Sequence, residues 1–254
     1  MRSKRKTKFI IGIFLVSFCT WLFWPTSVNQ EDVNTWRVEH NEMLRKNSEN
    51  AKFVLAKDFK FNSLEIIHVG PGKKYFSLFG HILVRFVGSA NEPVNDLTLS
   101  FLADFNDYQV DNIKGWFGGY EVLPKLSPFI DYIKEYSEGE NRYLKRYALN
   151  LSKSHQMNIL KILRSWISNP KLADVYSFND NNCVGLMVKL MQKANIPLKG
   201  DSAFFPWEMI EYLQKNKVIQ SAAKEIKGAK SYSSIEEIYK IKNCLLYTSP
   251  SPRD

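Results

Sequence analysis

The chain has 254 residues, 44% of them hydrophobic and 14% aromatic, with a formal charge of +9. Arg2, Lys4, Arg5, Lys6 and Lys8 carry five of those charges, and the remaining excess is spread thinly, which argues against a nucleic-acid partner. Of the three cysteines, Cys19 lies in an N-terminal apolar run and Cys244 in the C-terminal tail, so Cys183 stands alone and a disulfide scaffold is excluded.

The basic segment 1–8 precedes an apolar run, Phe9 to Trp24, shorter than the roughly 20 residues of a usual spanning helix. Trp21 and Trp24 suit a membrane interface, and no small-x-small cleavage site follows. The pattern reads as an uncleaved signal anchor over 9–24, a single pass of the cytoplasmic membrane with the N-terminus inside. The body is then extracytoplasmic. Residues 25–60 are polar and charged and read as a linker plus a short helix, with Trp36 and Leu44 as docking points.

Leu64 to Val69 is a short apolar run closed by Gly70-Pro71-Gly72, a strong turn signal. His81 to Val87, rich in Ile, Val and Phe, predicts a buried strand. Leu97 to Phe105 predicts another, and Arg142 to Leu151 a third with Tyr143, Lys145, Tyr147, Leu149 and Leu151 on one face. Ser127-Pro128 supplies an N-cap and an N1 proline ahead of a helix beginning near Phe129. Further helices are expected from Ser154 to Ile167, from Cys183 to Ala194 behind an Asn181-Asn182 cap, and from Pro206 through Leu213. Strands come early and helices late, which predicts an α+β domain. At the far end, Cys244 to Asp254 resembles a translated sequencing adapter. Residues 244–254 therefore read as an artefact, and the native chain is expected to continue beyond Lys242 or Asn243.

Cys183 and His81 are the residues whose chemistry merits argument. A thiol becomes a nucleophile as thiolate, and the first turn of a helix favours that anion and offers N–H groups to an acyl oxyanion. An imidazole within reach would complete the activation. The plainer alternative is that Cys183 is a small apolar residue on the buried side of its helix, and that His81 is a satisfied core histidine. His68, beside Gly70-Pro71-Gly72, is the rival base; His155 and His40 have no argument in their favour. No histidine pair has ligand spacing and no Cys-x-x-Cys occurs, so neither a metal nor any other cofactor is expected.

Four blocks in order then become recognisable. Ile67-His68-Val69-Gly70-Pro71-Gly72 is followed by Tyr75-Phe76-Ser77-Leu78-Phe79-Gly80-His81 and Arg85; Phe129 to Tyr136 by Gly139-Glu140-Asn141-Arg142; then come Leu149-Asn150-Leu151-Ser152 and Tyr176 to Cys183. Together they resemble a bacterial extracytoplasmic family that includes the N-terminal periplasmic domain of the lipoprotein N-acyltransferase Lnb. The resemblance implies a papain-like thiol fold of the NlpC and lecithin–retinol-acyltransferase kind, with a central antiparallel sheet and packed helices over residues 61–243. It carries the family's Gly-His motif onto His81 and its Asn-Cys motif onto Cys183, and gives His68 a structural role. Val184-Gly185 stand where many members carry threonine after the cysteine, which leaves the pocket lining open.

The function expected on this basis is a membrane-anchored acyltransferase. Cys183 would take a fatty acyl group from a phospholipid as a thioester and pass it to an amine such as a lipoprotein N-terminus. His81 would act as base, and Asn182 would orient the ring or hold the oxyanion. Arg85 and Arg142 are candidates for phosphate or carboxylate contacts, and equally for ion pairs. The alternatives are a cell-wall amidase or peptidase of the same fold and a non-catalytic envelope-binding module. Trp116-Phe117-Gly118-Gly119-Tyr120 reads as a loop that lines a lipid groove or a partner surface, or simply packs.

Overall fold

The computed structural model of the chain describes residues 30–73, 77–105, 112–200, 203–219 and 224–228. The basic segment, the anchor run and the adapter-like tail lie outside the described residues. Among those described, no helix is long and apolar enough to cross a membrane.

The apolar runs of the first half form strands β1 (Ser63–Val69), β2 (His81–Val87) and β3 (Leu97–Asp104), and Leu144–Ala148 forms β5. Three strands come in addition to those expected: β4 (Tyr120–Pro128), β6 (Val175–Tyr176) and β7 (Lys224–Ile226). They build one seven-stranded antiparallel sheet in the order β6-β4-β3-β2-β1-β5-β7. With the helices packed on it, the molecule is α+β, the class the sequence predicts.

The helices are α1 (Gln30–Leu55), α2 (Asn112–Phe117), α3 (Phe129–Tyr132), α4 (Lys153–Ser168), α5 (Cys183–Lys193) and α6 (Pro206–Lys215). Most of the described part of the expected linker and short helix is instead one helix of 26 residues, Gln30–Leu55. Charge conceals it in the sequence: Arg45 pairs with Glu42 at 2.8 Å and Glu49 at 2.6 Å along its exposed side. Polar side chains do much of its docking, because the Asn47 and Asn50 amides donate to the carbonyls of Pro124 and Leu126 at 3.1 and 2.9 Å. The cap expected at Ser127 moves by one residue. Pro128 ends β4 and is itself the N-cap of α3, without a side-chain cap bond.

Strand alternation divides the interior. Ile82, Val84 and Phe86 of β2 face the larger core, shared with α4, α5 and α6. Leu83 faces a smaller core with Phe129, Tyr132, Ile133 and Tyr136, under α3 and the π-helix Ile133–Gly139 that continues it. Beneath α3 lies a buried ion network. Arg85 bonds Glu65 at 3.0 Å, Asp96 at 2.7 Å and the Pro93 carbonyl at 2.8 Å, while Arg146 holds Glu65 at 3.0 and 2.8 Å. Burial pushes the Glu65 carboxyl up, but Arg146 and Arg85 together outweigh it and hold the group below the usual carboxylate range.

Candidate active site

Cys183 is the first residue of α5, and Asn182 caps the helix as expected: its Oδ1 accepts the Val184 and Gly185 N–H groups at 2.9 and 3.1 Å. The Asn182 amide nitrogen donates to the carbonyls of Phe178 at 3.5 Å and Phe204 at 3.4 Å. Its side chain is thus spent on local backbone, and no hydrogen bond joins it to His81. The cap also withdraws two N–H groups from any oxyanion role. Gly185 is required where it stands, since a Cβ there would collide with the Asp180 carbonyl oxygen.

The Cys183 thiol is buried and free. Burial pushes it up to about 11, and the backbone amides of Ile82, Val184 and Cys183 itself, with the Arg142 charge, offset this only in part. At neutral pH it is a protonated thiol. The Tyr176 phenol lies against the same turn, its pKa raised by burial first and then by Cys183, while the Cys183 amide opposes the rise.

The sulfur therefore meets β2 at Ile82, the neighbour of His81. Gly80 makes the approach to β2 with φ of +87°, a backbone state open to glycine, and a Cβ there would press on the Val69 carbonyl oxygen. The half-buried His81 ring sits on the smaller-core side, with Nε2 2.7 Å from Ser100 Oγ and its centroid 6.4 Å from Tyr136. Among the described residues no hydrogen bond joins the thiol to the imidazole. Burial lowers the His81 pKa to about 3, with Arg142 and Lys125 adding to it, so the ring is neutral.

His68 stands across from Ile82 in the β1–β2 register. It is buried, its Nε2 has no hydrogen-bond partner, and burial, Lys145 and Arg142 lower its pKa to about 4. Arg142 lies where its charge reaches Cys183, His81 and His68 alike. It donates to the Gly70 carbonyl at 2.6 Å and to Glu140 at 2.7 Å, packs 4.8 Å from the Tyr136 ring centroid, and keeps Nη2 buried without a hydrogen-bond partner. Arg85 has the other fate the sequence leaves open. Fully buried among Glu65, Asp96 and the Pro93 carbonyl, it serves the fold, and the reading of it as a substrate contact gives way.

An aromatic rim joins the two halves of the site. Phe79, two residues before His81, packs on Phe205 at 5.0 Å, and Phe205 stacks on Trp207 at 4.5 Å. Leu78, Phe79 and Trp207 remain 49%, 52% and 41% exposed. Together they form an exposed apolar patch next to the start of β2. On another side of the α5 first turn, a cleft of about 560 Å³ runs between Phe117, Asp174, Asp180, Asn181, Gly185 and Lys189. The aromatic-glycine loop contributes Phe117 to this cleft and the buried Tyr120 to the core. Among the described residues no group of three or more His, Cys, Asp or Glu side chains could hold a metal ion.

The neutral histidines make stability depend on pH. Their folded pKa values lie below the ordinary 6.5, so the stabilisation is complete above that value and is lost as pH falls through about 4 and 3. The thiol acts in the opposite sense, losing stabilisation as pH rises from 9.0 through about 11. Thermal melts should therefore decline on both sides of a plateau between about pH 7 and 9. A melting temperature unchanged down to pH 4 would contradict the burial of both rings.

Sequence reasoning gave no role to Ser100, Tyr132, Tyr136 or Tyr176; sheet register brings Ser100 to His81, and the π-turn presents Tyr136 to its ring. Neither a curated protein nor a solved structure matches the chain. Residues 51–216 match the Lnb N-terminal periplasmic domain, covering every block from β1 to α6. The chain belongs to the Lnb N-terminal periplasmic domain family and is an extracytoplasmic protein of the bacterial envelope.

Proposed function

We propose that the protein is a thiol acyltransferase of the bacterial envelope, anchored to the cytoplasmic membrane through residues 9–24, with a papain-like arrangement of cysteine helix on antiparallel sheet. The observation that carries this reading is the meeting of the Cys183 helix with β2 one residue from His81, under a rim of exposed aromatics. The rim suits the acyl chains of a phospholipid donor.

In the first half-reaction the Cys183 sulfur attacks the ester carbonyl carbon as His81 takes the thiol proton. The ester C–O bond breaks, the leaving alkoxide receives that proton, and lysophospholipid departs from a thioester. In the second, an amine such as a lipoprotein N-terminus attacks the thioester. His81 takes the amine proton and returns it to the departing thiolate, which releases an amide. A neutral thiol and a neutral imidazole suit this cycle, because proton transfer is coupled to attack and the thiolate is not stored. For this cycle the His81 ring must turn from its Ser100 contact on the smaller-core side toward the thiol on the larger-core side. Arg142, with one nitrogen to spare, is the residue suited to an anionic substrate group.

A hydrolytic reading draws on the cleft beside α5, where Asp174 and Asp180 would suit a cell-wall peptide. Product analysis separates the two. The full chain, given phospholipid and a peptide amine, should yield acylated peptide and lysophospholipid in equal amounts. Free fatty acid alone, or cleavage of peptidoglycan fragments, would replace transfer by hydrolysis.

A further inference from the structure

His81 has one ring nitrogen committed to Ser100, and the partners of Ser100 decide what the other nitrogen can do. The Tyr132 hydroxyl donates to the Lys125 carbonyl at 3.1 Å. Its single hydrogen is then used, and its oxygen can only accept. The hydroxyls of Ser127 and Ser100 lie near that oxygen, close enough to oppose the rise that burial gives the phenol's pKa. With the Ser100 hydrogen turned toward Tyr132, the Ser100 oxygen is left to accept from His81 Nε2, 2.7 Å away. The chain then has one direction: Nε2–H to Ser100, Ser100 O–H to Tyr132, Tyr132 O–H to the Lys125 carbonyl. The scaffold holds each member. Ser100 is fully buried and pairs with Leu83 across β2–β3, and the Tyr132 ring stacks on Tyr136 at 6.0 Å and 16°.

We propose that Ser100, backed by Tyr132, is a positioning residue that fixes His81 as its Nε2–H tautomer and leaves Nδ1 as the proton acceptor. This rests on the reading of His81 as the base of the Cys183 reaction. A base must present a lone pair at a defined place, and a ring held in the wrong tautomer loses several orders of magnitude in rate even where geometry is intact.

The test is a long-range proton–nitrogen correlation spectrum of the full chain labelled at its histidine nitrogens, with the His81 signals assigned by their loss in His81→Ala. Wild type should show His81 as Nε2–H at pH 7. Ser100→Ala and Tyr132→Phe should both move it toward a mixture of tautomers, and lower kcat for acyl transfer on the order of 10- to 100-fold with KM little changed. Tyr132→Phe keeps the ring stack, so it reports on the hydroxyl even where Ser100→Ala fails to fold. An Nδ1–H ring in wild type, or a tautomer unmoved in Tyr132→Phe, would overturn the proposal. The spectrum does not depend on turnover: an Nε2–H ring in a protein that transfers no acyl group would sink the acyltransferase reading and leave the positioning intact.

Discussion

His81→Ala is expected to lower acyl transfer by about 10²- to 10⁴-fold, the usual contribution of a positioned general base, with binding of the donor little altered. Cys183 itself should remain buried and alkylated by small probes at a similar, slow rate, because the ring is not hydrogen-bonded to the thiol at rest. His68→Ala is the necessary partner experiment. His68 lies across from Ile82 with a buried nitrogen that has no hydrogen-bond partner, so it is the other imidazole near the thiol. Its removal should cost less than about tenfold in rate, the loss of a packing residue rather than of a base. A large loss in His68→Ala with a small one in His81→Ala would transfer the role of base to His68.

Glu65→Ala should be among the most damaging substitutions for stability, by about 3–5 kcal/mol. Glu65 receives two hydrogen bonds from Arg146 and one from Arg85, and all three side chains are buried. Alanine removes the carboxylate and leaves two guanidinium groups close together under α3, where their desolvation is no longer compensated. Denaturant titration measures this directly. Glu65→Met, which takes away the charge but refills the space, should fare no better, because the arginines remain. A loss below about 1 kcal/mol in Glu65→Ala would show that water reaches the network.

The parts of this architecture legible in the sequence were those whose signals are local. The β2 run and the Asn182 cap of α5 carry their own grammar within a few residues, and both elements form where expected. β4 hid behind Pro124, a residue that speaks against a strand interior. Yet β6 pairs only with Tyr120 and Glu121, and side chains of α1 rather than a strand meet the edge at Pro124, so the missing N–H costs no ladder bond. α1 hid because its exposed side is charged and its docking on β4 uses the Asn47 and Asn50 amides, with Val54 buried in the core near its end, so no continuous apolar stripe is there to read.

The site divides in the same way. Cys183 and His81 were visible as residue types in telling places, and the fold brings the backbone of Ile82, the neighbour of His81, to the Cys183 thiol. Arg85 could not be assigned from spacing, because its partners Glu65 and Asp96 are distant in sequence and adjacent through sheet register and the turn before β3. Ser100 is an unremarkable serine within a strand until the Leu83–Ser100 pairing sets it diagonal to His81. Asn182 forms the helix cap the sequence predicts, and its side chain closes that helix where the sequence suggested a hand on the ring.

Intact mass spectrometry of the full chain after incubation with mixed phospholipids shows whether Cys183 carries the acyl group. Wild type should gain the mass of one fatty acyl chain, lose it to hydroxylamine, and map it to the peptide bearing Cys183, while Cys183→Ala gains nothing. An acyl adduct that survives hydroxylamine, that persists in Cys183→Ala, or that never forms in wild type would contradict a thioester route and turn the site over to the non-catalytic envelope-binding reading.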